Sequence, residues 1–318
     1  MQTKLRKILS IVVCMAVLIT SLTISGATLT SAAAGTAEDP VLIKTFDDLK
    51  KAVKSTSKTY YKLANDIIIN DITVKIENGV GVIYNADGTE KLTEEELSKL
   101  TPWINEGYAD TASRFRGTLD GDGHVIRGLY LNTVAPYEKA GDDYKYARAL
   151  ISYAGDGAAI KNLGLEDAYV SYEYGTASGF FGNMQNAQIS AENCYVGKSA
   201  YFYGYNASAF FGSGNQNFKA SYVKNGYSLA TLKLQEGVSD TRFGAIYADS
   251  WNGATTAENF YTTTKLTHGG VTRGANVYDY IKETEGTIGT AFEGNTFFPG
   301  DVFCAVEGEL PTLKYFKG

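Results

Sequence analysis

Ala147-Arg148-Ala149-Leu150-Ile151-Ser152 is echoed thirty residues later by Ala177-Ser178-Gly179-Phe180-Phe181-Gly182, and thirty residues after that by Ala207-Ser208-Ala209-Phe210-Phe211-Gly212. A fourth copy, Gly244-Ala245-Ile246-Tyr247-Ala248, follows at a slightly longer interval. A fixed period of this size marks a repeat architecture, in which each coil buries its apolar face against the next. A second phase runs beside the first. Ile160-Lys161-Asn162-Leu163, Ile189 through Asn193-Cys194-Tyr195, Ala220-Ser221-Tyr222 and Glu258-Asn259-Phe260-Tyr261 recur in step with it. Each coil is therefore expected to carry two marked strands. Cys194 then shares its place with Leu163, Ser221 and Phe260, a set that suits packing rather than redox chemistry.

Outward from the repeats, Arg114 to Asn132 has the same chemistry. Phe115, Thr118-Leu119, Val125-Ile126 and Leu129-Tyr130-Leu131 are short β-type segments, punctuated by Gly117, Gly121, Gly123 and Gly128. Brief strands between glycine turns suit a parallel β-helix, where each strand pairs with its counterpart one coil on. Tyr60 to Ile69 reads as a strand entering it. Before that strand, Thr45-Phe46-Asp47-Asp48 offers an N-cap threonine with an acid three residues on. Leu49, Ala52 and Val53 add an apolar stripe at helical spacing, which predicts a short helix closing the first coil.

Residues 72–113 break the pattern. Val80 to Tyr84, then Asn85-Ala86-Asp87-Gly88, predicts a hairpin or turn. Thr93-Glu94-Glu95-Glu96 is a second capping box, so a short helix should follow and end by Pro102. This is a small α/β insertion on one face. Pro136 to Tyr146 is polar and predicts a loop. Ala275 to Glu285 has a weak helical pattern. Val302 to Tyr315 predicts a final hairpin-like pair covering the last coil, since an open β edge invites aggregation.

The N-terminus has a different character. Lys4, Arg6 and Lys7 precede the apolar run Ile8–Ile19, and small residues lead to Ser31-Ala32-Ala33-Ala34-Gly35. This predicts a secretory signal peptide over residues 1–34, cleaved near Ala34, and one domain over 35–318. Loss of three lysines and arginines takes the formal charge from −6 to −9. No basic block remains, which argues against nucleic acid and against anionic membrane as partners. No later apolar stretch is long enough to span a bilayer. Cys194 and Cys304 stand in different sequence contexts, and both a disulfide and two buried thiols stay open for them.

The segments Ser178–Gly182 and Asn193–Gly197 resemble the GLUG-type repeat of bacterial secreted and surface proteins. Phe115 to Leu129 resembles a recurrent first coil of such proteins, Gly35 to Ile43 their mature start, and Leu310 to Lys314 their close. The resemblance covers nearly the whole mature chain. It implies a right-handed parallel β-helix of the adhesin or pectate-lyase-like kind, export, and a surface or extracellular role. It implies no particular activity, because the repeat is a scaffold. The insertion at 72–113 departs from the pattern.

Candidate chemistry is sparse. Asp120-Gly121-Asp122-Gly123 opens like a calcium loop but lacks the later glutamate, and it equally reads as a glycine turn. His124 and His268 have no ligand-spaced partners. Glu166 and Asp167 could meet Glu192 on adjacent coils, as a sugar-cleaving β-helix would need. The sharper excess is tyrosine, 23 in all. Alternation puts Tyr201, Tyr203 and Tyr205 on one strand face, and stacked coils would line such rings into an aromatic strip. Aromatic faces stack on sugar rings while hydroxyls hydrogen-bond. Tyrosine also simply suits strand surfaces. The candidate ligand-binding set is therefore Trp103, Tyr201, Tyr203, Tyr205 and Trp251, with no catalytic residue, metal or cofactor assigned. The leading expectation is a non-catalytic module that recognises polysaccharide or a cell-surface glycan. A polysaccharide lyase or hydrolase, and a purely structural spacer, are the alternatives.

Overall fold

The computed structural model describes residues 35–103, 114–133, 147–184, 186–213, 221–239, 242–249, 255–266, 271–275, 277–278, 303–304 and 312–313. The expected signal peptide, the loop at 136–146, Trp251 and His268 lie outside the described residues.

The chain is mostly β, and its large sheets are parallel. From Ala159 onward it visits three of them in a fixed order. Ala159–Lys161 and Gly164–Glu166 lie in a long sheet, Ala168–Ser178 in a six-stranded sheet and Phe181–Asn183 in a four-stranded sheet. The order repeats through Ser190–Val196, Ala200–Ser208 and Phe211–Ser213, and again through Ser221–Ser228, Thr231–Leu234 and Tyr247–Asp249. Each strand pairs with its counterpart one circuit on, as in the register Ile151 to Phe181 to Phe211 to Tyr247. Parallel neighbours need a crossover connection. Here the other two sheets supply it.

The thirty-residue echo is the packing unit. Leu150, Phe180, Phe210 and Ile246 are completely buried in one core. The Phe210 ring meets Phe180 edge-on at 5.0 Å and Phe260 at 5.1 Å between centroids. Phe181 and Phe211 meet beside them with their rings tilted, 5.8 Å between centroids. The terminal glycine of the pattern has a steric cause. A Cβ on Gly212 would run into the carbonyl oxygen of Gly182 and the Thr176 methyl group.

The second phase is a turn held by asparagines. Asn162, Asn193, Asn225 and Asn259 all have positive φ, at 48°, 55°, 52° and 49°. Asparagine tolerates this region better than other side-chain-bearing residues. Each side-chain amide donates to the one before it. Asn259 Nδ2 reaches Asn225 Oδ1 at 2.8 Å, Asn225 reaches Asn193 at 3.0 Å, and Asn193 reaches Asn162 at 2.8 Å. Asn162 ends the chain on Asp120 Oδ1 at 2.9 Å.

This register corrects one equivalence. Cys194 pairs with Gly226, and Gly226 with Phe260, so the third copy is Asn225-Gly226-Tyr227 rather than Ala220-Ser221-Tyr222. Glycine at the apolar position hid the match. Ser221 pairs with Thr255 instead. Cys194 is a buried free thiol whose Sγ lies 3.2 Å from the Glu192 carbonyl. Burial pushes its pKa up, which leaves the thiol protonated and inert.

Outside the repeats the local signals mostly act as expected. The helix Phe46–Ala52 starts at a capping box, with Thr45 Oγ1 accepting from Asp48 N at 3.2 Å and Asp48 Oδ2 from Thr45 N at 3.1 Å. It buries Leu49 and Ala52 in the main core. Tyr60 to Ile69 divides into two strands, Tyr60–Leu63 and Ile67–Ile68. Phe303–Cys304 and Thr312–Leu313 form an antiparallel pair. Val277–Tyr278, in the stretch with a weak helical pattern, is a strand paired with Phe260 and Tyr261. There the free edge of a neighbouring strand outweighs local propensity.

The insertion is a hairpin and a helix. Ile72–Glu77 pairs antiparallel with Val80–Asn85. A hairpin turns at Asn78-Gly79, with φ of 52° and 75°, and the expected turn after Asn85 forms as well, with Tyr84 bridged antiparallel to Lys91. Asn-Gly is a strong signal for a two-residue hairpin turn, and it was legible in the sequence. The Asn85–Gly88 turn is a second one, closed by Gly88 N donating to Asn85 O at 2.9 Å. Thr93 and Glu96 form the expected capping box for the helix Glu94–Leu97.

Candidate functional site

The outer face of the six-stranded sheet carries the tyrosines. Alternation turns Leu131, Val170 and Phe202 into the core and turns Tyr130, Tyr169 and Tyr201 the other way. Parallel register stacks these tyrosines into a row, with centroids 6.1 Å apart for Tyr130–Tyr169 and 5.4 Å for Tyr169–Tyr201. A second column on the same face runs Asn132, Ser171, Tyr203, Lys233.

The insertion settles on the tyrosine row. Ile72, Val74 and Ile83 form a small core with Tyr130 and Tyr201. Gly81 is required for this contact, since a Cβ there would stand 2.5 Å from the Tyr201 ring. Burial beneath the hairpin raises the phenol pKa of Tyr130, Tyr169 and Tyr201. Past the hairpin tip the face stays open as a groove of about 600 Å³. Tyr169 and Tyr203, both half-buried, give it aromatic walls with Ser171 between them, while Tyr201 borders it but is only 3% exposed. Lys233, Leu234 and Glu236 line its other part, and Val80 stands at its rim.

The candidate residues separate cleanly. Tyr201 and Tyr203 come together in the groove. Tyr205 does not join them: it lies on the surface with the Arg242 guanidinium 4.4 Å over its ring. The adjoining register shift between Tyr172 and Thr176 interrupts the strand pairing at that point. Trp103 has no surface to offer a ligand. It is 4% exposed, packs against Phe46, and donates Nε1–H to the carbonyls of Ala149 and Leu150 at 3.0 and 3.2 Å. Other tyrosines are structural. Tyr195 and Tyr227 stack at 5.0 Å and are buried. The groove residues that the sequence did not single out are Tyr169, Ser171, Lys233, Leu234 and Glu236. The strand register to Tyr203 is what brings Lys233 in, and no local motif announces it.

The carboxylates do not converge. Glu166 is held by Arg127 at 2.6 Å and accepts from the Tyr195 hydroxyl at 2.6 Å. Asp167 turns toward the insertion, where Oδ1 accepts from Val74 N at 3.1 Å. Glu192 sits in a charge column, Lys62, Asp120, Lys161, Glu192, Lys224, Glu258, in which the sign alternates from strand to strand. Opposite charges on neighbouring strands favour this register. Asp120 and Asp122 are engaged too, by the Tyr60 hydroxyl at 2.6 Å and by Lys62 at 2.8 Å. His124 Nδ1 lies 3.0 Å from Asp66. Among the described residues no three His, Cys, Asp or Glu side chains gather as a metal site. No helix among them is long and apolar enough to cross a membrane.

Asp167 links the hairpin to the sheet at a cost in solvation. Burial is the largest influence and raises its pKa above the ordinary 3.8, against the lowering effect of the Val74 bond. The folded state thus holds the proton more tightly than the unfolded chain. Its contribution is most favourable below 3.8 and is lost as pH rises through the folded value. Asp167→Asn keeps the acceptor for Val74 and suits the positive φ of 48°. We expect it to stabilise at pH 7 by about 0.5 kcal/mol and to flatten the pH dependence just above 3.8. Urea unfolding at pH 4.5 and 7 measures both, and an unchanged pH slope would refute the assignment.

No family model and no curated protein matches the chain. A solved structure of a candidate immunoglobulin A1 protease from Bacteroides ovatus matches over 88% of this chain and 94% of its own. The identity is 14% and the TM-score 0.39, a likeness too slight to carry an argument about fold or activity.

Proposed function

We propose that the protein is an exported, right-handed parallel β-helix that recognises glycan in the tyrosine-lined groove without catalysing a reaction. The observation that carries this reading is the pair of half-buried rings Tyr169 and Tyr203 at one recess, with charged and hydroxyl groups beside them. A pyranose ring presents C–H groups that pack on an aromatic face, and hydroxyls that need polar partners at the edge. The circuit through three parallel sheets supports the β-helix, and the strong preference for right-handed crossovers supports its hand. The helix Phe46–Ala52 then covers the first coil. The basic and apolar N-terminus supports export, and the resemblance to GLUG-type surface proteins agrees with it.

Tyr203 is the residue to change, because it lines the groove outside the small core under the hairpin, against which it is only packed. Affinity electrophoresis against a panel of cell-wall and plant polysaccharides should show retardation by at least one. Tyr203→Ala should weaken that binding about tenfold, on the scale of one stacked ring, while leaving the unfolding midpoint within a few degrees. Retention by no polysaccharide would refute glycan recognition.

A further inference from the structure

We infer that the groove selects an acidic saccharide, a chain carrying uronate-type carboxylates, with Lys233 as the carboxylate partner; this rests on the glycan reading above. Lys233 is the one cation among the described residues that line the groove. It is fixed by sheet register, since Tyr203 pairs with Lys233 and Gly204 with Leu234. It is exposed, and among the described residues it has no ion-pair partner. Elsewhere on the parallel sheets the lysines at outward positions face acids. Lys62, Lys161 and Lys224 each stand in register beside an Asp or a Glu. Lys233 stands in register beside Tyr203 instead. A positive charge held next to an aromatic ring, in a chain of net charge −6, is an arrangement that a neutral sugar does not need.

The geometry matches a polymer lying along the stack of strands. Strands repeat at about 4.8 Å, close to the length of one pyranose unit. A sugar on the Tyr203 ring therefore places the carboxylate of its neighbour over Lys233, one strand further. Glu236 follows on the turn closed by Val238 N to Gln235 O, off the strand that fixes Lys233. Its carboxylate is an acceptor for sugar hydroxyls and a mild repulsion to the polyanion.

The test uses the full chain and titrates polygalacturonate, its fully methyl-esterified form and a neutral β-glucan by affinity electrophoresis and calorimetry. Polygalacturonate should bind about tenfold tighter than the esterified polymer, the scale of one charge-assisted contact. Lys233→Gln should abolish that preference and Lys233→Arg should keep it, whereas Lys58→Gln, a remote surface lysine, should change nothing. Glu236→Gln should bind the polyanion slightly tighter. Equal binding of acidic and neutral polymers, or an unchanged preference in Lys233→Gln, overturns the acidic ligand and leaves glycan recognition standing. Binding to none of the three, nor to any polymer of the wider panel, overturns glycan recognition itself.

Discussion

Phe210→Ala is expected to destabilise the protein by about 4 kcal/mol, the largest single effect among the substitutions considered. Phe210 is completely buried and touches rings on both sides along the stack, Phe180 and Phe260, as well as its own neighbour Phe211. Truncation removes the transfer free energy of a benzyl group and leaves a cavity. The surrounding strands cannot collapse into that cavity, because parallel pairing on either side fixes their spacing. It also removes edge-to-face contacts, each worth about 0.5–1.5 kcal/mol beyond area burial. In a chain of this size the loss corresponds to a fall in Tm of about 10 °C. Phe210→Leu fills most of the space and should cost about half as much. Urea unfolding with an unchanged m-value measures the difference. A loss below about 1 kcal/mol in Phe210→Ala would show that the rings do not stack through the core as described.

Asn225→Leu should come second, at about 3 kcal/mol, for two separable reasons. The first is electrostatic. Asn225 gives its amide to Asn193 and accepts from Asn259, so the leucine takes the donor from the Asn193 carbonyl and an acceptor from the Asn259 amide in a part-buried row whose buried member is Asn225 itself. Each orphaned group costs about 1–3 kcal/mol, less where water reaches it. The second is conformational. The backbone at 225 has φ of 52°, where a Cβ crowds the following carbonyl at about 1 kcal/mol. Asn225→Gly removes only this second cost, so it should recover about 1 kcal/mol relative to the leucine variant. If glycine and leucine destabilise equally, the turn does not need left-handed geometry. If neither destabilises, the asparagine row contributes nothing to stability.

These two residues show how unevenly the sequence displays its structure. Phe210 is visible as a letter in a repeated word, because every copy must place an apolar group at that point of the core. Asn225 is not, although its role equals that of Asn193. Its neighbour Gly226 occupies the place of Cys194 and Phe260, and a glycine carries no apolar signal. The hairpin tip has the opposite history. Asn78-Gly79 is plain in the sequence, and so is the Asn85–Gly88 turn that follows it.

The candidate site was half legible. Tyr201 and Tyr203 follow from alternation along one strand. Trp103 stands out in the sequence by rarity alone, and rarity says nothing about burial. Tyr205 extends the same alternation on paper, but it stands apart from the groove with Arg242 over its ring. Lys233 and Glu236 belong to the groove only because strand Thr231–Leu234 pairs beside Ala200–Ser208.

The sequence by itself determined the period, the parallel pairing of successive copies and the identity of the core rings, because each of these depends on a residue meeting its own equivalent. The tertiary structure decided where the insertion lies, which tyrosines it covers and which it leaves at an open groove. Those outcomes depend on contacts between unlike segments, Gly81 on Tyr201 and Val74 on Asp167, and a repeat carries no information about a partner that occurs only once.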